Sequence, residues 1–147
     1  MPLPYQIEAD AIERNEGVER YAKYLIAEAG RLESAGADFL VIPCNSVHIF
    51  IEEVRASIKI PVISILETTV DFLRKNAYQN VGIVATSMTI KNRLYEDILA
   101  KNSIDFCSPN ELQQAKLNKI IHNLVMGLQK NDDRKYLIDI VYEYENA

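Results

Sequence analysis

The sequence predicts an α/β protein with a parallel sheet, and three observations support this fold class. Short, nearly unbroken apolar runs occupy residues 39–42, 62–65 and 81–85, which is typical of strands buried in a parallel sheet. Between these runs, apolar residues recur with the spacing of amphipathic helices. Strands therefore alternate with helices, which is the order expected when helices cover a parallel sheet.

The first half of the chain shows this order clearly. A helix is predicted from Val18, where apolar residues recur at i, i+3 and i+4, and Gly36 stands in the usual position of a helix stop. The strand 39–42 follows and ends at Pro43. After it we expect a helix at about 46–58, a strand at 62–65 and a helix at 67–75.

The second half repeats the pattern. The strand 81–85 ends in hydroxyl-bearing residues and leads into a helix that contains Ile90 and Leu99. The rest of the half is predicted to contain a weak strand at 104–106, a helix at 112–129 and a last helix capped by Asp132 or Asp133.

The repetition suggests two similar α/β halves, residues 1–76 and residues 77–147. In both, a strand ends in small polar residues before a helix begins, so we expect the two polar loops to lie on one cleft. A helix precedes the first clear strand, and no strand follows the last helix. In a series of βα units a closing helix is normally followed by a strand, so both halves are expected to be incomplete at the ends of the chain.

Composition excludes several classes of function. The net charge of −5 over 147 residues argues against nucleic acid or an anionic membrane as partner. No apolar run is long enough to span a membrane, and residues 1–20 lack the apolar core of a signal peptide. Two cysteines and two histidines form neither a disulfide framework nor a metal-binding pattern, so we expect no metal site and a reduced, cytoplasmic setting.

Cys44 is the residue on which a functional interpretation depends. It follows the strand 39–42 and precedes a helix, and ligands of open α/β folds bind beyond the carboxyl ends of the strands. The N–H groups at a helix N-terminus favour the thiolate form of a nearby cysteine. The alternative is a cysteine that serves only as a small buried hydrophobe.

Three segments resemble the aspartate/glutamate racemase family. Residues 36–48, GADFLVIPCNSVH, resemble its first cysteine motif. Residues 60–67, IPVISILE, resemble the next segment, a strand that ends in an acidic residue. Residues 82–90, GIVATSMTI, followed by Tyr95, resemble the loop of its second half. The order of the three segments matches the family, and archaeal-type aspartate racemases are the relatives that the sequence resembles best.

The resemblance implies a fold of two α/β domains related by pseudo-twofold symmetry, with the active site between them. It implies racemisation of aspartate or glutamate by two cysteines on opposite faces of Cα, without pyridoxal phosphate, any other cofactor or a metal. Cys44 would be the first cysteine, and homodimers are common in the family. The residues implied to bind the acidic amino acid are Asn45, Ser46, Thr86, Ser87 and Thr89.

The departures from the family pattern shape the expected activity. The GCTE-like motif with the second cysteine and the Gly-rich loop of the first strand are absent, and Cys107 stands in a different segment. One thiolate can remove a proton and return it on the same face, which exchanges the α-proton without inversion. We therefore expect a weak or inactive racemase. The alternatives are a non-catalytic dicarboxylate-binding protein, or a decarboxylase or isomerase of a small diacid.

Several other residues have two interpretations each. His48 is expected either to orient the Cys44 thiol through an i, i+4 contact or to be a structural histidine. Thr86, Ser87 and Thr89 could cap the next helix as well as bind substrate. Glu67 could reach the cleft or only cap a helix, and His122 is expected to be a surface or core residue rather than a ligand.

Overall fold

A computed structural model describes residues 18–145, and in this range helices alternate with short parallel strands. The chain divides into two compact units, one ending at Lys75 and the other starting at Asn76. Within the described range each unit holds one two-stranded parallel sheet. The predicted α/β class is therefore confirmed. The assignment of two pseudo-symmetric domains stays a prediction.

The first unit begins with a long amphipathic helix that ends at a left-handed glycine. Gly36 has φ +91°, and the Ala37 N–H donates to the Leu32 carbonyl at 3.1 Å, which closes the helix end. The elements of this unit are α1 (Val18–Ser34), β1 (Leu40–Val41), a 3-10 helix (Ser46–Phe50), α2 (Ile51–Ser57), β2 (Val62–Ile63) and α3 (Ile65–Lys75).

The β1–β2 pair has one buried and one exposed face. Leu40 pairs with Val62 and is buried with it, whereas Val41 pairs with Ile63 and both are exposed. Phe39, just before β1, is 54% exposed. The prediction that the whole run 39–42 is buried is therefore wrong, because side chains alternate between the faces of a strand and only one face is covered here.

Two apolar clusters hold the first unit together. One joins α1, β1, α2 and β2, and its buried members are Ala29, Leu40, Ile51, Val54, Ile58 and Val62. The other is formed by Tyr21, Val47 and Phe50, in which the Tyr21 and Phe50 rings meet edge to face with centroids 6.2 Å apart. The Glu33 carboxylate accepts from the Lys59 and Ile60 N–H groups at 2.6 and 3.2 Å, which fixes the approach to β2.

The second unit contains β3 (Asn80–Gly82), α4 (Ser87–Lys91), α5 (Leu94–Lys101), β4 (Asp105–Cys107), α6 (Glu111–Val125) and α7 (Asn131–Glu145). In the β3–β4 pair Val81 lies opposite Phe106. A single helix was predicted over residues 90–99, but Arg93 has φ +51° and separates α4 from α5. The buried apolar residues of the second unit include Ile83, Met88, Leu99, Ile104, Leu117, Ile120 and Ile140.

Polar caps fix the ends of α6 and α7. Asn110 and Gln113 form a reciprocal capping box at the start of α6. Asp132 or Asp133 was predicted to cap the last helix, but both lie in the first turn of α7. Asp133 accepts from the Lys130 N–H at 3.0 Å and from Asn123 Nδ2 at 3.1 Å. At the other end of α7, the Tyr144 ring lies so close to Gly82 that a Cβ there would collide with it.

None of the helices between residues 18 and 145 combines the length and the apolar character that a membrane crossing requires.

Candidate functional site

Cys44 lies in a short loop between β1 and the 3-10 helix, at the carboxyl end of the strand. Its side chain is partly exposed, is not in a disulfide, and borders the cluster of Tyr21, Val47 and Phe50. The loop is short because the first 3-10 turn starts only two residues later, and the His48 N–H closes this turn onto the Asn45 carbonyl at 3.0 Å. The predicted position of Cys44 beyond a strand end is thus found.

The two polar residues after Cys44 differ in exposure. Asn45 is partly exposed and has a helical backbone conformation. Ser46 is only 2% exposed, so its hydroxyl does not face solvent in this structure. Of the two predicted binding residues in this loop, Asn45 is therefore the one that a ligand could approach directly.

His48 is buried and bridges the Cys44 loop to α3. Its Nδ1 lies 2.8 Å from the Cys44 carbonyl oxygen, and its Nε2 accepts from the Ile65 N–H at 3.2 Å. The i, i+4 contact predicted from sequence is present, but the hydrogen bond reaches the carbonyl of Cys44 instead of the thiol. Burial lowers the pKa of His48 below its ordinary value of 6.5, although the hydrogen bond to the Cys44 carbonyl acts to raise this pKa.

Glu67 does not offer an unpaired carboxylate. Both of its oxygens bind the Arg55 guanidinium, at 2.9 and 2.8 Å, and Arg55 also donates to Glu52 and to the Val62 carbonyl. The hydrogen bonds from Arg55 lower the pKa of Glu67. Because this fork-to-fork pair occupies the guanidinium, Arg55 is not set to bind a substrate carboxylate.

Thr86 caps α4 through a hydrogen bond with Thr89, which agrees with the predicted capping role for Thr86. Thr86 is the N-cap of α4, and its Oγ1 accepts from the Thr89 N–H at 3.3 Å and lies 3.1 Å from Thr89 Oγ1. Thr89 is 1% exposed, whereas Thr86 and Ser87 are partly exposed. The exposed side of the first turn of α4 therefore presents Thr86 and Ser87, and Thr89 lies underneath.

Ser87 is held by a residue that the sequence analysis missed. Asn118 Nδ2 donates to Ser87 Oγ at 2.6 Å, and Asn118 Oδ1 accepts from the Ser87 N–H at 3.2 Å. Since Ser87 Oγ accepts this bond, its own O–H can donate to a ligand. Gln114 supports the arrangement by donating to Asn118 Oδ1 and to the Ala85 carbonyl. In the sequence, the only clue to this role is that Gln114 and Asn118 are four residues apart, which places their two amide side chains on one face of a helix.

Cys107 and His122 lie away from these two loops in sequence. Cys107 ends β4, and its Sγ lies 3.8 Å from the Val81 carbonyl oxygen. His122 is exposed on α6. Among residues 18–145, no three His, Cys, Asp or Glu side chains form a group that could hold a metal ion.

Comparison with known proteins identifies the family. The family model of Asp/Glu/hydantoin racemases matches residues 6–146, nearly the whole chain. The chain belongs to the Asp/Glu/hydantoin racemase family. The resemblance predicted from the three sequence segments is thereby confirmed.

Individual relatives in the racemase family agree with this assignment. The chain is 31% identical over 99 residues to the broad specificity amino-acid racemase RacX of Bacillus subtilis, a match that covers 67% of this chain and 43% of that protein. It is 32% identical over 101 residues to the glutamate racemase of Aquifex aeolicus, covering 67% of this chain and 37% of that enzyme. It thus spans less than half the length of these two curated relatives.

A solved racemase-family structure has the same fold. An aspartate racemase homologue from Pyrococcus horikoshii superposes with a TM-score of 0.74 at 25% identity, covering 93% of this chain and 61% of that one. The likeness extends over both compact units of the chain, so the α/β architecture of each unit is that of the racemase family.

Proposed function

We propose that the chain acts on the α-carbon of an acidic amino acid, aspartate or glutamate, with Cys44 as the acid/base residue. The observation that carries this proposal is the position of Cys44, a partly exposed thiol beyond the end of β1 in the segment that resembles the family's first cysteine motif. As a thiolate, Cys44 would take the proton from Cα and become a thiol, leaving a carbanion conjugated with the α-carboxylate.

Groups that donate hydrogen bonds to the substrate carboxylates would stabilise this carbanion. The exposed side of the first turn of α4 offers the Ser87 hydroxyl, oriented by Asn118, together with the N-cap residue Thr86. Asn45 offers an amide beside Cys44. Ser46 and Thr89 are buried, so we propose that they shape the two loops and that Asn45, Thr86 and Ser87 make the direct contacts.

The chain carries two cysteines, and Cys107 Sγ is directed at a backbone carbonyl of its own sheet. We propose that Cys44 therefore works on one face of Cα: after it removes the α-proton, its S–H exchanges with solvent and returns a solvent-derived proton to the same face. Such a chain exchanges the α-proton faster than it inverts the carbon, and its racemase activity is weak. It would need no pyridoxal phosphate, because the thiolate and the hydrogen-bond donors perform the proton transfer themselves.

The test is to incubate the unmodified chain with L- or D-aspartate, and separately with L- or D-glutamate, in D₂O. We expect deuterium at Cα, measured by proton NMR, with configuration largely retained by chiral chromatography. Inversion as fast as exchange would contradict the one-thiol mechanism. Binding by calorimetry without deuterium at Cα would contradict the enzymatic proposal and favour the dicarboxylate-binding alternative.

Replacing Asn118 by Ala should weaken substrate binding. The change removes the donor to Ser87 Oγ and the acceptor of the Ser87 N–H, so the hydroxyl loses its fixed direction. We expect an affinity about tenfold lower, which corresponds to about one hydrogen bond's net contribution. Calorimetric titration with aspartate measures it.

Asn123→Ala is the matched control for this change, because Asn123 lies on the same helix but bonds Asp133. Equal affinities of the Asn118 and Asn123 variants would contradict a role for the Ser87 hydroxyl in binding.

A further inference from the structure

His48 occupies a buried position where two segments of the first unit meet. It follows Cys44 by four residues, and its ring separates the Cys44 loop from the first turn of α3. We propose that His48 is a positioning residue, a neutral imidazole with its proton on Nδ1 that ties the Cys44 loop to the start of α3, and that protonation of this ring releases the loop.

The two hydrogen-bond partners fix the protonation state of the ring. The Cys44 carbonyl oxygen can only accept, so Nδ1, 2.8 Å away, must carry the proton. The Ile65 N–H can only donate, so Nε2, 3.2 Å away, must present its lone pair. A ring that is 3% exposed has little water to substitute for either partner. This tautomer is therefore required by the fold.

The Ile65 N–H is one of the N-terminal amides of α3 that no carbonyl within the helix can accept. Ser64 Oγ accepts another of them, the Glu67 N–H, at 3.3 Å. His48 thus caps a second N-terminal amide of α3 from a distant part of the chain, and this connects the start of α3 to the Cys44 backbone.

An imidazolium does not fit this position. A proton on Nε2 would point at the Ile65 N–H, and the positive end of the α3 dipole would repel the charge. The charged groups acting on the ring are Glu67 on α3, which favours protonation, and Arg55 on α2, which opposes it. Arg55 forms an ion pair with Glu67, so the opposite effects of these two charges on His48 largely offset each other. Burial then has the largest effect and lowers the pKa of His48 below 6.5.

The direction of the pH effect follows from this lowered pKa. The unfolded chain binds a proton near pH 6.5, whereas the folded chain binds it only at lower pH. The tether is therefore intact above pH 6.5, and its contribution is lost as the pH falls from 6.5 through the pKa of folded His48. A positioning role in catalysis rests on the proposed function of Cys44, but the tether itself does not.

Nitrogen-15 NMR of the unmodified chain tests the tether directly, since the chain has only two histidines. We expect His48 at pH 7.5 to show a protonated Nδ1 and an unprotonated Nε2, and to titrate with a midpoint below 6.5. His122→Gln assigns the signals. A proton on Nε2 at neutral pH, or a midpoint at or above 6.5, would overturn the proposal.

Alkylation of Cys44 tests its consequence for the loop, in a Cys107→Ser background that leaves one thiol. The alkylation rate at each pH is divided by the fraction of Cys44 that is thiolate at that pH. We expect this corrected rate to rise at least threefold as the pH falls through the titration midpoint of His48. In His48→Gln the amide cannot gain a proton in this range, so the pH-dependent step should vanish. A step that persists in His48→Gln would refute the positioning role.

These readouts separate the two proposals. If the NMR and alkylation results are as expected but aspartate gains no deuterium, the enzymatic function of Cys44 is contradicted and the tether stands. If deuterium enters Cα while His48 carries its proton on Nε2, the tether is contradicted and the proposed function stands.

Discussion

Cys44→Ser is expected to reduce deuterium exchange at Cα of aspartate by at least about 100-fold, the lower end of what a positioned general base contributes. A serine hydroxyl is nearly isosteric with the thiol, but it is far less acidic, so almost no alkoxide exists at neutral pH. Cys44 is partly exposed at the edge of an apolar cluster, so the loss should reflect chemistry and leave the free energy of unfolding nearly unchanged.

Cys107→Ser is the matched control for this experiment. It removes the other thiol of the chain, which lies at the end of β4 and is directed at the Val81 carbonyl. We expect this variant to retain the exchange rate within about a factor of two, since surface or partly exposed changes of this size alter little. Equal losses in both variants would argue that Cys107 also takes part, and retention of exchange in Cys44→Ser would refute the proposed role of Cys44.

The position of Cys44 could be predicted from sequence because it depends on local patterns. An apolar run, a proline and small polar residues mark a strand end, and the structure places Cys44 beyond β1 accordingly. The exposure of Phe39 and Val41 could not be predicted, because a short apolar run is compatible with one covered face or with two. Which faces are covered depends on the rest of the fold.

Contacts between distant residues account for most of what the sequence did not show. Arg55 and Glu67 are 12 positions apart, and their pairing removes Glu67 from the set of available carboxylates. Asn118 is 31 positions from Ser87, so its control of the hydroxyl needs the packing of α6 against the loop. Helix patterns identify which residues lie on one face, but they do not identify what that face meets.

His48 is a residue whose first contact could be predicted from the sequence and whose second contact could not. The spacing of four residues from Cys44 predicted a contact, and a contact exists. Its second partner, the Ile65 N–H, lies 17 positions away and decides the tautomer. Sequence alone left two interpretations open, a residue that orients the thiol or a structural histidine, and the structure shows a ring that binds two backbone groups.

Tyr21→Ala is expected to destabilise the first unit by about 3–5 kcal/mol, the range for deleting a large buried aromatic side chain. Tyr21 is 2% exposed and packs edge to face on Phe50, which belongs to the 3-10 helix after the Cys44 loop. Val47 shares the same cluster, and Cys44 borders it. Removing the ring therefore leaves a cavity directly beneath the loop that carries the thiol.

Urea unfolding followed by amide hydrogen exchange at the residues of the first unit measures this loss, because hydrogen exchange reports the opening free energy of each segment. Tyr78→Ala is the control, since Tyr78 is 53% exposed in the second unit and its replacement should cost no more than about 0.5 kcal/mol. Alkylation of Cys44 should also accelerate in Tyr21→Ala, since the loop loses its apolar support. A destabilised first unit with an unchanged alkylation rate would contradict a role of Tyr21 in supporting the Cys44 loop.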